Sequence, residues 1–290
     1  MKHNAIQIRG LEKHFDRFHL GPLDLTVPQG AVYGLIGPNG AGKTTTIDLI
    51  LGLGREDSGS IKVLGLDHRR DEVAMKQQVG YASPDVLFHA WGKVGKLLQF
   101  VRGFYPTWDE AYCQRLLTAL NVGLNERIRS LSFGSRVKLG LVVALAWRPK
   151  LLVLDEPTAG LDALSKKQIF AELLSAVQDE ERTVLISSHN LADLERFADH
   201  IGMIRDGKLL LEGPTAEVVE RFQMLDFVTE TGREFATAPG FFVQKREQDR
   251  WQALVDTQQN SIETMTARGA RQIIATPVTL EDVFVALAGK

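Results

Sequence analysis

Gly37-Pro38-Asn39-Gly40-Ala41-Gly42-Lys43-Thr44, followed by Thr45, is the stretch that decides the reading of this sequence. It fits G-x-x-x-x-G-K-[ST]. It also follows a continuous apolar run, Ala31-Val32-Tyr33-Gly34-Leu35-Ile36, and opens a helix through Ile47, Leu49 and Leu51. A short apolar run bounded by glycine reads as a strand buried on both faces. Glycines let the loop turn its amides inward, and the start of the helix adds partial positive charge, so the segment is built to hold phosphate. Lys43 is then placed for the β- and γ-phosphates of a nucleotide and Thr44 for Mg²⁺, with Gly37 through Thr45 as the candidate contacts. A glycine-rich connector without chemistry is the alternative, and the Lys-Thr pair at this offset argues against it.

Outward from the loop, Leu151-Leu152-Val153-Leu154 and Thr183-Val184-Leu185-Ile186 read as two more buried strands. The helix between them carries Ile169, Leu173, Leu174 and Val177 on one face. Strand, helix, strand implies a parallel sheet. Asp155-Glu156 follows the first of these strands directly and is thereby delivered to the carboxyl edge, where such sheets hold ligands. Asp155 is expected to hold Mg²⁺ through water and Glu156 to take a proton from an attacking water. His189 closes the strand Thr183 to Ser188 and reaches the same edge; taken alone it reads as a turn or capping residue.

Antiparallel strands flank this unit. Ala5 to Arg9 and Leu23 to Val27 alternate in polarity, and Arg205-Asp206-Gly207-Lys208 between two apolar runs predicts a hairpin. From about Leu87 to Pro149 strand signals vanish, and Leu97 to Phe104 and Glu110 to Leu120 show helical spacing, so a helical subdomain is expected there. After Phe222 short apolar runs, Phe241 to Val243 and Trp251 to Val255, precede a helix at Leu280 to Leu287. The expected division is a nucleotide domain over 1–221 and a small α+β module over 222–290.

Bulk properties narrow the classes. The 34 Lys+Arg against 36 Asp+Glu leave a net charge of −2, without the basic excess of a nucleic-acid-binding protein. The single cysteine, Cys113, forms no intramolecular disulfide, which favours a reducing compartment. The N-terminus lacks the apolar core of a signal peptide, and no stretch approaches the roughly 18 apolar residues that span a bilayer. A cytoplasmic location is therefore expected.

The order of motifs resembles the nucleotide-binding subunit of ABC transporters over about Ala5 to Val219. Ser130-Leu131-Ser132-Phe133-Gly134-Ser135 looks like the family signature, ahead of a Walker B segment ending in Asp155-Glu156. Ala159-Gly160-Leu161-Asp162 is similar to the D-loop and Ser187-Ser188-His189 to the switch histidine. The resemblance implies an α/β P-loop NTPase core of ABC type, with a mixed sheet, an inserted helical subdomain and a small C-terminal module. It further implies an ATPase in which two subunits sandwich two ATP molecules. Each nucleotide would lie between the phosphate loop of one subunit and the Ser132 and Gly134 of the other, with Asp162 nearby. His189 would touch the γ-phosphate, and Phe15 matches the aromatic that stacks on adenine, although a strand Phe is also an ordinary core residue. The partner implied is an integral-membrane permease, with the subunit peripheral on the cytoplasmic face and no nucleic acid involved.

Two departures stand out. Phe133 and Ser135 replace the glycine and glutamine of the usual L-S-G-G-Q signature. Val79 to Asp85 resembles the Q-loop without its glutamine, so Asp85 or Ser83 is expected to serve as Mg²⁺ or water contact. Thr279-Leu280-Glu281-Asp282-Val283-Phe284 is similar to the ending of ABC-2-type ATPase subunits, and Tyr105-Pro106-Thr107-Trp108-Asp109 resembles their YtrB-like branch. Two rivals remain. A non-transport ABC ATPase acting on nucleic acid or ribosomes usually carries two cassettes or a coiled-coil insertion, neither of which is visible here. A small-molecule kinase would not need Ser132-x-Gly134 ahead of Walker B.

Overall fold

The alternation that begins at Ala5 runs well past Arg9. In a computed structural model, β1 spans Asn4–Phe15 and turns through Asp16 and Arg17 into β2, Phe18–Pro28. The structure describes residues 4–86, 88–180, 182–229, 235 and 238–288. Leu87, where the helical segment is expected to begin, lies outside them, as do residues 1–3 and 289–290. The inward residues Ile6, Ile8, Leu11, Leu23 and Leu25 are buried in one core, which is why the hairpin keeps its register despite its bulges.

Chain order explains the site. β3 (Val32–Ile36) leads through the glycine loop into α1 (Lys43–Ile50). Then come β4 (Ser58–Val63), β5 (Leu66–Asp67), α2 (Glu72–Lys76) and β6 (Val79–Ala82). A helical stretch follows with α3 (Val94–Arg102), α4 (Glu110–Ala119) and α5 (Phe133–Leu145). The chain returns as β7 (Leu151–Asp155), α6 (Ala163–Glu180), β8 (Thr183–Ser188), α7 (Leu191–Glu195), β9 (His200–Arg205) and β10 (Lys208–Pro214). One sheet has the order β2-β1-β4-β5 and the other β10-β9-β3-β8-β7-β6.

In the second sheet β3 pairs in parallel with β8 and β9, and β7 with β8 and β6. Every residue of β3, β7 and β8 is buried, as strands covered on both faces require. Ile36 pairs with Ser188 and Asp155 with Ser187. That register brings the carboxyl ends of β3, β7 and β8 level, so the glycine loop, Asp155-Glu156 and His189 leave the sheet at one edge.

Asp109 starts α4 by accepting from the Tyr112 N–H at 2.8 Å. α6 is rotated from the expected face. Ile169 and Leu173 are buried, but Phe170 and Ala176 join them, while Leu174 and Val177 are half-buried. The cause is Phe170, whose ring stacks on Phe197 at 4.1 Å and takes the inward position.

The chain divides into two compact units, Met1–His189 with Phe197–Leu211, and Asn190–Arg196 with Glu212–Lys290. The second contains α7 and then α8 (Thr215–Arg221), β11 (Phe222–Val228), β12 (Phe241–Glu247), β13 (Arg250–Asp256), α9 (Ile262–Ala267), β14 (Arg271–Thr276) and α10 (Leu280–Ala288). Its strands form an antiparallel sheet in the order β12-β13-β11-β14, packed on Phe227, Phe235, Phe241 and Trp251. Among the described residues no helix is long and apolar enough to cross a membrane.

Candidate functional site

The loop after β3 depends on glycine at two places. A Cβ on Gly37 would stand 2.2 Å from the Ile204 carbonyl oxygen, and Gly42 sits at φ +109° with Phe18 and Leu20 closing over it. Only glycine fits both conditions. Lys43 is 5% exposed, and its ammonium donates to the carbonyls of Gly37 at 2.7 Å and Pro38 at 3.1 Å. The loop therefore fixes its own lysine.

Opposite the loop, β7 ends on Asp155. The Thr44 hydroxyl donates to Asp155 Oδ2 at 2.8 Å, and Ser187 Oγ donates to Oδ1 at 2.5 Å. Ser187 Oγ in turn accepts from the Glu156 N–H at 2.9 Å. Ser187 thus aligns both carboxylates, although the sequence marked it only as a residue of the strand that His189 closes. Its signal was the register that sets it beside Asp155. Glu156 is held at φ +47°, a left-handed conformation that costs a non-glycine residue energy and re-aims its side chain. Its Oε2 lies 2.8 Å from His189 Nδ1. Its Oε1 is buried 3.0 Å from Lys43 Nζ, close enough for an ion pair but without hydrogen-bond alignment. On α1, burial first and the Asp155 charge second hold the Asp48 carboxyl above its usual range.

Lys43, Thr44, Thr45, Pro38, Asn39, Gly40, Gly42 and Glu156 line a cavity of about 510 Å³, together with Arg17 and Phe18 from the end of the β1–β2 hairpin. The sequence singled out Phe15, which is 51% exposed and does not line this cavity; its ring centroid is 6.2 Å from that of Phe18. The readable signal for Phe18 was its place across the hairpin turn. Ala41 is buried in the loop. Asp85 is exposed in the turn after β6, where its N–H donates to Ser83 Oγ, and it does not line the cavity either.

The signature residues form a second feature. Ser132 caps α5, its Oγ accepting from the Ser135 N–H at 3.1 Å and lying 2.9 Å from the Ser135 hydroxyl. Phe133 is exposed beside Gly160, where an added Cβ would be 3.4 Å from its ring, and one on Gly134 would be 3.3 Å from Leu161. The D-loop segment and the start of α5 are therefore packed together. Asp162 accepts from the N–H and hydroxyl of Ser165, and these bonds hold its carboxyl below the usual range. Ser132, Gly134 and Asp162 do not line the loop cavity.

A glycine loop with a buried lysine, facing a hydroxyl–carboxylate pair at the carboxyl edge of a parallel sheet, defines a P-loop nucleotide-binding domain. Residues 20–159 match the ABC transporter family. The chain is 31% identical to the Nod factor export ATP-binding protein I of Burkholderia lata, covering 98% of this chain and 97% of that protein. It is also 31% identical to the ABC transporter ATP-binding protein YtrB of Bacillus subtilis, covering 78% and 77%. A solved ATP-binding subunit of an ABC transporter superposes with a TM-score of 0.67 at 26% identity, covering 75% of this chain and 92% of that one. The chain belongs to the ABC transporter family, among its ATP-binding proteins, and is an ATPase.

Proposed function

We propose that this ATPase works with Mg²⁺ as a dimer that encloses ATP at its interface and drives a separate integral-membrane permease from the cytoplasmic face. The observation that carries the reading is the convergence of Lys43, Thr44, Asp155, Glu156 and His189 on one sheet edge. Thr44 and Asp155 offer hard oxygen donors 2.8 Å apart, a set that suits Mg²⁺. These two residues would hold the ion, which would neutralise phosphate charge.

The remaining roles follow from the contacts. Lys43 and the loop amides grip the β- and γ-phosphates. A water adds through oxygen to the γ-phosphorus, the bond to the ADP oxygen breaks, and the water's proton passes to Glu156. His189, bonded to Glu156, orients that carboxylate and reaches for the γ-phosphate. Ser132 and Gly134 present the positive end of α5 to the nucleotide of a second copy, with Asp162 beside them. Phe15 and Phe18 offer stacking faces on the base side. Asp85 or Ser83 would supply the remaining Mg²⁺ or water contact, in the segment where the family has a glutamine.

Partner binding draws support from an apolar groove of about 470 Å³ whose lining includes Leu53, Val101, Phe104, Tyr105 and Trp147. Leu53 and Phe104 are both 61% exposed, a large apolar surface for a water-facing protein. The test is affinity purification of the chain from membranes of its own cells. An integral-membrane protein should co-purify and be lost with Leu53→Ser and Phe104→Ser, while ATP hydrolysis by the isolated chain persists. Recovery of the chain without any integral-membrane protein would remove the transport reading.

A further inference from the structure

The β1–β2 hairpin that carries Phe18 also gathers three metal-ligating side chains, none of which lines the nucleotide cavity. We propose that Glu12, His14 and His19 form a binding site for a divalent transition-metal ion of the zinc class. His14 and His19 are direct cross-strand partners, so both side chains leave the same face of the hairpin. Their rings stack with centroids 4.0 Å apart and planes inclined by 14°. Glu12 stands two residues before His14 along β1, and strand periodicity returns it to that face. Its Oε2 lies 3.5 Å from His19 Nε2.

One ligand atom from each residue falls within 4.8 Å of the others, and among the described residues no other trio of His, Cys, Asp or Glu does so. Zinc bonds of about 2.0–2.2 Å to imidazole and carboxylate call for ligand atoms about 3.4 Å apart, which rotation of the exposed His14 and His19 and of the half-buried Glu12 would supply. Three protein donors leave one position for water.

A second, independent feature is the carboxylate behind the cluster. Asp57 accepts from the His14 backbone N–H at 2.6 Å and lies 3.2 Å from His14 Nδ1. With Nδ1 so engaged, Nε2 is the nitrogen left for a metal, the carboxylate–histidine arrangement that orients metal ligands. Asp57 is itself anchored, since Lys13 Nζ donates to its other oxygen at 3.0 Å. Two imidazoles favour zinc, copper, nickel or cobalt over Mg²⁺, so the ion differs from the one expected beside Thr44.

The experiment titrates Zn²⁺ by calorimetry into untagged, chelator-treated full-length chain without nucleotide, with millimolar Mg²⁺ present. One zinc per chain is expected at the hairpin, and the double variant His14→Ala, His19→Ala should abolish that binding with an unchanged circular dichroism spectrum. Asp57→Asn should weaken it by about 10–100-fold. If the double variant folds poorly, Glu12→Gln replaces it, with an expected loss of at least tenfold. No zinc binding, zinc displaced by Mg²⁺, or binding that survives these substitutions would overturn the assignment.

Discussion

Asp155 and Asp256 are both buried carboxylates that end a strand, β7 in one unit and β13 in the other. Their partners differ in kind. Asp256 receives two bonds from the Arg221 guanidinium, at 3.1 and 2.6 Å, and further bonds from the Gln258 N–H and the Gln259 amide. Its charge is neutralised where it stands. Asp155 is held by two hydroxyls, Thr44 and Ser187, neither of which carries charge. A buried carboxylate paired with a cation serves the fold, whereas one held only by hydroxyls beside an open cavity keeps its charge for a ligand.

The widest contrast is expected at Glu156. Glu156→Gln should lower ATP turnover by about 10²–10⁴, the contribution of a general base, with nucleotide binding retained in a filter assay. An unchanged rate would place the site's proton acceptor elsewhere. Lys43→Ala removes a charge-assisted contact of roughly 1.5–3 kcal/mol, so ATP affinity should fall about ten- to hundredfold by calorimetry. Equal affinity would mean that the lysine only braces its own loop.

Asp256→Ala supplies the opposite arm. It should cost about 1–3 kcal/mol in denaturant unfolding, less than a fully buried pair, because the Arg221 side chain is 29% exposed and can turn to water. ATP turnover per folded molecule should not change, and a fall comparable to that of Glu156→Gln would erase the distinction. The smallest effect concerns Cys113, whose thiol burial pushes up to about 12, with Glu110 and Asp109 adding to the rise. Only about one thiol in 10⁴ is then ionised at pH 8, so alkylation should be slow until the chain is unfolded. Rapid labelling of the native chain would show that the helical segment opens.

Much of the core was legible because its residues serve one local demand each. The loop 37–44 and the buried strands β3, β7 and β8 need particular residue types at fixed spacing, so their pattern survives in the sequence. The hairpin end was harder. Phe15 and Phe18 are both aromatic, and only the packing of Phe18 against Gly42 separates them. Ser187 was hidden because its role depends on a neighbour 32 residues away. In the second unit β11, β14 and α9 went unread. β14 is mostly exposed, so it carries little of the alternation that marks a strand, and α9 is a single capped turn-and-a-half starting at Ser261.

The most direct test of the central claim is the solution mass of the Glu156→Gln chain with Mg²⁺ and either ATP or ADP, read by light scattering. With ATP, two copies should join across the phosphate loop and the Ser132 end of α5, so the mass doubles, whereas ADP leaves single chains. A chain that binds ATP yet keeps the mass of one copy would contradict the account.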